Sequence, residues 1–315
     1  MPVIFNGRST EKVRMIMVPC HAVWNPLFFS SSYENFGQSA DYWDLAPFQY
    51  EGHDHIAFIK HGLAAIYTLA NLLPLQNGVV IFSGSQTSVK HTCFSEAQSY
   101  FMLMRKILCA NQDGILKCFE DDMEIISYLY DIKKQLSTLT LDIDTLFSSG
   151  YITTEEFALD SFQNLLFSIY RFKEFTSVYP TDITIVGFGF KKERFLKYHA
   201  KSIDFDIKRL GYISIEPNPL YFESLTSQED YSTSDIYKKY FQDLENSELK
   251  NAVALFNKDW YGLRGNLFQK RESRNAQKRF NGYCSSKLIS FDANIPDQEF
   301  FDKSIKGQMP WSTGS

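Results

Sequence analysis

The chain has 315 residues, 44% of them hydrophobic and 22% charged, with 28 Phe and 18 Tyr. That composition excludes a disordered chain and supplies apolar surface for one large core, which the aromatic side chains are expected to fill. A formal net charge of −5 argues against a general nucleic-acid binder, whose affinity rests on neutralising phosphates.

Met1 to Arg14 holds only the short apolar run Val3-Ile4-Phe5, which is neither a secretory core nor a transit pattern. No segment approaches the roughly 20 uninterrupted apolar residues of a membrane helix. Val13 to Val18 reads as the first strand, and a long loop through Trp24, Ser30-Ser31-Ser32 and Gly37 runs to about Gly52. Loops of that length usually bind, wrap or cover something. His53, Asp54 and His55 invite a metal reading. Without a second cluster they read instead as a helix start with Asp54 as cap.

Ile56, Ile59, Leu63, Ile66, Tyr67 and Ala70 recur at helical spacing, and Gln76-Asn77-Gly78 reads as a turn into the apolar run Val79-Val80-Ile81-Phe82. That run ends in Ser83-Gly84-Ser85-Gln86-Thr87, the way a buried parallel strand delivers backbone N–H groups to a pocket. Ala97, Tyr100, Phe101, Met104 and Ile107 mark a helix, and Met123 to Leu136 another. Glu155 to Phe175 reads as a long helix capped by Thr153 or Thr154. Pro180 precedes a strand over Ile183 to Val186, Phe190 to Ser202 reads as helix, and Tyr212 to Ile215 as a last strand. After Asn218 the character changes. Thr226 to Asp235 is polar, Ile236 to Phe256 is helical in pattern, and the tail after Asp292 reads as loop, poorly ordered at its end.

Alternating strands and helices predict an α/β fold, a Rossmann-like three-layer sandwich with a mostly parallel central sheet. The expected division is a Rossmann-like domain over 1–217 and a helical or irregular extension over 218–315, packed on the same domain. Three strand ends, at Cys20-His21, at Ser83-Gly84-Ser85 and at Gly187 to Lys191, are expected to meet at one carboxyl edge, where helix N-termini favour an anionic group.

The candidate ligand-binding residues are His21, Ser83, Gly84, Ser85, Gln86, Glu96, Glu155, Asn164, Lys191 and Arg194. Cys20 and His21 are strand-end neighbours that point to opposite sides, a poor basis for a catalytic dyad. Ser83 lacks a GxSxG elbow and reads as a hydrogen-bonding residue. Glu155 and Glu156 suit acid–base chemistry or the dipole of a first helical turn. Lys191 and Arg194 suit an anion or a solvated face equally. Arg264, Lys270, Arg271, Arg274, Lys278 and Arg279 form a basic cluster expected to pair with the protein's own carboxylates. Cys20, Cys93, Cys109, Cys118 and Cys284 are widely spaced and lack a CxxC pair, so neither a zinc site nor a disulfide framework is expected. Reduced thiols and the absence of targeting signals imply a cytoplasmic protein without a membrane partner.

Taken together, these blocks resemble the YdcF-like and SanA-like domain family. Ser83-Gly84-Ser85 is similar to its Ser-Gly-Gly turn, Ser95-Glu96-Ala97 to its next helix start, Ser161-Phe162-Gln163-Asn164 to its Thr-x-Glu-Asn block, and Val186 to Arg194 to its last block with Lys191 at a His position. Val18 to Trp24, Asp160 to Phe172, Phe190 to Phe195, and Asp259-Trp260-Tyr261-Gly262 with Lys270-Arg271 and Arg274-Asn275 resemble the fungal branch. The resemblance spans about Val13 to Tyr283 and implies a Rossmann-like fold with a small-molecule pocket and no assigned activity. The guest it implies is nucleotide-like, phosphorylated or otherwise anionic, with S-adenosylmethionine among the cofactors it allows. Two alternatives are a phosphate or acyl ester hydrolase using Ser83, His21 and Glu155, and a non-catalytic interaction scaffold whose site has decayed at Ser85, Gln163 and Lys191.

Overall fold

The computed structural model describes residues 13–28, 34–73, 77–88, 93–226, 231–283 and 288–312. The early run Val3-Ile4-Phe5, Ser30-Ser31-Ser32, Gln76, Cys284 and the last three residues therefore lie outside the described residues.

β1 (Val13–Pro19) is the first apolar run. The described parts of the long segment after it are built, not open. Within it β2 (Val23–Trp24) pairs antiparallel with β3 (Trp43–Asp44), and α1 (Pro47–Glu51) follows. Trp24 and Trp43 lie opposite each other in that ribbon and are both buried, so two indoles anchor the segment. α2 (Asp54–Leu72) matches the periodic apolar run, but the cap is His53, at φ 47°, and not Asp54. Asp54 stands in the first turn, and the Tyr240 hydroxyl donates to it at 3.5 Å.

β4 (Asn77–Ser83) begins in residues that read as a turn, because Asn77 and Gly78 find ladder partners in Val13 and Arg14. α3 (Glu96–Cys109) starts in a capping box, with Gln98 N donating to Ser95 Oγ at 2.9 Å and Ser95 N to Gln98 Oε1 at 3.2 Å. α4 (Gln112–Phe119), α5 (Met123–Thr138) and α6 (Ile143–Ser148) follow, of which the periodicity identifies only α5.

The largest difference concerns Glu155. The residues expected to open a long helix form instead β5 (Ile152–Glu155), and α7 (Ser161–Thr176) starts only at Ser161, capped by Asp160. Thr153 and Thr154 are β-branched and pair in register with Ile81 and Phe82, which outweighs the local Thr-Glu signal for a helix start. β6 (Asp182–Gly187) leads through a 3-10 turn (Gly189–Lys191) and a π-helical stretch (Arg194–His199) into α8 (Ala200–Ser202), and β7 (Leu210–Ser214) ends the sheet. Beyond it lie α9 (Tyr221–Thr226) and α10 (Asp235–Glu248), which continues through a π-helical stretch (Leu249–Val253) into α11 (Ala254–Phe256). α12 (Gly265–Arg274) and α13 (Asp297–Ser304) are the last helices among the described residues. α13 falls in the stretch expected to be loop. Its buried Phe300 and Phe301 supply the apolar face that holds it helical.

All strand pairs of the main sheet are parallel, in the order β5-β4-β1-β6-β7. Counted along the chain, that is third, second, first, fourth, fifth. The winding reverses between β1 and β6, and a crevice opens there at the carboxyl ends. Side chains alternate between faces. Ile16, Val18, Val80 and Phe82 pack with Phe58, Leu63, Tyr100 and Ile125 of α2, α3 and α5. Met15, Met17, Val79, Ile81, Ile183 and Ile185 pack with Phe162 and Leu166 of α7 and with Phe256, Tyr261, Phe300 and Trp311. Met15, Ile16, Met17 and Val18 are all fully buried, each contributing about 1.5–3 kcal/mol. The fold is the α/β three-layer, Rossmann-like sandwich that the sequence predicts. Among the described residues no helix is long and apolar enough to cross a membrane.

Candidate functional site at the carboxyl edge of the sheet

A cavity of about 890 Å³ opens where the segments after β1, β4, β5 and β6 meet, its wall completed by α1, the first turn of α7, and α10 and α12. His21, Glu96, Asn164, Lys191 and Arg194 line it. Ser83, Gly84, Ser85, Gln86 and Glu155 do not.

Those five residues build the wall behind it. Ser83 is fully buried, its hydroxyl donating to Glu155 Oε2 at 2.6 Å, while Asn164 Nδ2 donates to Ser83 Oγ at 2.9 Å and to Ser83 O at 3.0 Å. Glu155 also accepts from Phe157 N at 2.7 Å, Ala158 N at 3.3 Å and the Tyr283 hydroxyl at 2.9 Å. Burial pushes its carboxyl up, against those donors. Ser85 N donates to Ala158 O at 3.0 Å, so the turn after β4 is stitched to the segment after β5. A Cβ on Gly84 would stand 2.5 Å from Glu96 Oε2 and 3.1 Å from Cys20 Cβ, so only glycine lets these strand ends close up. Gln86 is half-buried beside Thr87, and the Thr87 hydroxyl donates to Glu96 Oε1 at 2.5 Å.

The helix N-termini expected to receive an anion are largely occupied by the protein itself. Glu96 N and Ala97 N donate to Ser85 O at 3.0 Å and Gly84 O at 3.3 Å, and Asp160 takes Gln163 N at 2.9 Å through its carboxylate. The positive charge on the cavity comes instead from side chains. Lys191 and Arg194 follow β6, and Lys270 and Arg274 stand four apart on one face of α12. Arg194 Nε lies 2.8 Å from Glu248 Oε1, Arg274 donates to Leu159 O at 2.9 Å, and Lys270 to Asn251 O at 3.3 Å. These cations repel one another. Burial, and then Arg194 and Arg274, lower Lys191 to about 7, while burial followed by Arg274 and Arg194 lowers Lys270.

His21 stacks on Phe188, centroids 5.3 Å apart, and Phe188 stacks on Phe190 at 5.2 Å. Burial and the nearby Lys191 hold the His21 imidazole neutral, well below its usual range. On the acidic side, burial raises Asp54 and Glu96 to about 7 each. Cys20 also lines the cavity, but burial and Glu96 push its thiol well up, which suits packing better than nucleophilic chemistry. Among the described residues no group of three or more His, Cys, Asp and Glu side chains stands together as a metal site.

Sequence reasoning missed Tyr240, Glu248 and the cavity role of Asp54, Lys270 and Arg274. Only the four-residue spacing of that last pair signals one face. Of the rest of the basic cluster, Arg264 and Arg271 pair with the protein's own carboxylates, Arg279 with a backbone carbonyl, and Lys278 is exposed. Arg271 Nε donates to Asp160 Oδ2 at 2.6 Å, Arg264 ion-pairs Asp297, and Arg279 Nη1 donates to Glu156 O at 2.9 Å.

No family profile and no solved structure matches this chain. The chain is 42% identical over 312 residues to the uncharacterized protein YOR238W of Saccharomyces cerevisiae, a match covering 96% of this chain and 98% of that one. Because that identity extends over nearly the whole length of both proteins, the chain belongs to the family of that yeast protein.

Proposed function

We propose that the cavity binds a small phosphorylated or otherwise anionic, nucleotide-like molecule. The carrying observation is the convergence of Lys191, Arg194, Lys270 and Arg274 on one crevice at the reversal point of a doubly wound sheet. Cations gathered on one crevice, two of them lysines whose charge burial already disfavours, are stabilised when an anion enters between them. Stacked His21, Phe188 and Phe190 offer an apolar surface beside the charge, and Asp54 and Glu96 offer acceptors for hydroxyl or amino groups. The resemblance to the YdcF-like and SanA-like family supports the same reading, and S-adenosylmethionine belongs among the guests to be tried. Free thiols at Cys20, Cys93, Cys109 and Cys118 suit a cytoplasmic setting.

The ester hydrolase reading is less favoured, because Ser83 stands behind the cavity wall in bonds to Glu155 and Asn164. The decayed-scaffold reading is less favoured because about 890 Å³ stays open although Phe188 and Phe190 line it.

Calorimetric titration of the full chain with nucleotides, sugar phosphates and S-adenosylmethionine tests the proposal. At least one anionic compound is expected to bind, with affinity falling as salt rises. Arg274→Met and Lys270→Met are each expected to weaken it roughly tenfold, a charge-assisted hydrogen bond contributing about 1.5–3 kcal/mol. Binding indifferent to both substitutions, or none across the panel, overturns the reading.

A further inference from the structure

Lys191 differs from the other cavity cations in what surrounds it. Arg194 has Glu248, and Arg274 and Lys270 have backbone carbonyls. Lys191 Nζ stands 3.3 Å from His21 Nε2 and 3.4 Å from His21 Nδ1, and faces the rings of Phe188 at 5.0 Å and Phe190 at 5.4 Å. Near-equal distances to both nitrogens put it against the imidazole as a whole, not on one lone pair. The anions closest to it in effect are engaged elsewhere, Glu248 with Arg194 and Asp54 with Tyr240. An amine held among aromatic rings and beside a guanidinium, on the wall of an open cavity, is the arrangement that makes lysine a nucleophile.

We propose that Lys191 forms an imine with a small aldehyde or ketone that also carries a phosphate or carboxylate. The Nζ lone pair adds to the carbonyl carbon while the C=O π pair moves to oxygen. One Nζ proton passes to that oxygen through solvent in the open cavity, giving a carbinolamine. The C–O bond then breaks, the second Nζ proton leaves with the oxygen as water, and a C=N bond remains. No oxidant or reductant is required. Lys270 and Arg274, which line the same cavity, hold the anionic end. This proposal rests on the anion-binding reading above.

Pyridoxal phosphate, an aldehyde bearing a phosphate, is a direct probe. The full chain is incubated with it near neutral pH, reduced with borohydride so that any imine becomes a secondary amine, and mapped by peptide mass spectrometry. With Nζ lowered to about 7 against about 10.4 for a solvated lysine, labelling at Lys191 is expected to outrun the other lysines roughly tenfold or more. Inorganic phosphate should slow it, and Lys191→Arg should abolish it while leaving the circular dichroism spectrum unchanged. Labels scattered over surface lysines with the Lys191 peptide unmodified overturn the proposal, a result read from the wild-type chain alone. If nucleotides or sugar phosphates without a carbonyl still bind in calorimetry, only the nucleophile falls. If neither binding nor labelling is seen, both readings fall.

Discussion

Asp160 accepts Gln163 N through Oδ1 at 2.9 Å and Arg271 Nε through Oδ2 at 2.6 Å, so one carboxylate both caps α7 and fastens α12 to it. The guanidinium is itself buried, donating to Tyr261 O and to Gly262 O, and the Arg271 pairing helps hold the Asp160 carboxyl down at about 2. A depressed acid stabilises the fold above its unfolded value near 3.9 and loses that contribution as pH falls through the folded one. Denaturant unfolding of the wild type should therefore lose on the order of 2 kcal/mol between about pH 4 and pH 2 from this group. Asp160→Asn should remove that slope and, by stranding Arg271, cost about 3–5 kcal/mol at neutral pH. A variant as stable as the wild type would show the fastening to be idle.

Gly84→Ala places a methyl 2.5 Å from Glu96 Oε2 and 2.9 Å from Glu96 Cβ. The carboxylate tip can swing away, but the Cβ of a helix-anchored residue cannot. The expected loss is about 1–3 kcal/mol of stability, as for an overpacked core, read as a lower urea midpoint at unchanged m-value. An unchanged midpoint would mean that the turn after β4 has room to spare.

Glu96 carries the opposite pH signature. Burial raises it to about 7, so its contribution is fully present below the unfolded value near 4.3 and is lost as pH rises through about 7. Glu96→Gln keeps an acceptor for the Thr87 hydroxyl and removes the buried charge. Thermal unfolding should show the variant more stable than wild type at pH 8, by about 1–3 kcal/mol, and closely matched at pH 4. Equal curves at both pH values would refute the buried charge.

Ser83→Ala separates wall from chemistry. Its hydroxyl joins Glu155 and Asn164 in a fully buried network, so stability should fall by about 1–3 kcal/mol through unsatisfied partners. Affinity for any anionic ligand found by calorimetry should stay within about twofold, since that change is well under 1 kcal/mol. A variant of native stability that loses all binding would move Ser83 from the wall into the site.

Much of the fold was legible because burial imprints itself on local pattern. Val13 to Val18, Val79 to Phe82 and Ile183 to Val186 are apolar but for Arg14 and Thr184, as suits central parallel strands, and they proved to be neighbours in one sheet. Glu155 was misread because an edge strand with Thr at its centre carries the same residues as a capped helix start. The choice was made by β4, which offered a parallel partner. α13 was missed for a related reason: its helical face exists only against the aromatic layer of the extension.

The candidate site divides the same way. The three strand ends announce a crevice, and His21, Asn164, Lys191 and Arg194 could be named from their loops. Asp54, Tyr240, Glu248, Lys270 and Arg274 could not, since they reach the crevice from a helix start or from the extension and share no local motif with the strand ends.

The amino-acid sequence by itself determined the layered α/β architecture and the edge of the sheet where the strand-end loops meet, because strand and helix periodicities and small-residue turns are local consequences of burial. The tertiary structure alone decided which charges meet there. It turned Ser83 and Glu155 into wall and brought Lys270 and Arg274 to the same cavity as Lys191, because the positions of groups far apart in the chain are set by packing of the whole and leave no trace in their own neighbourhoods.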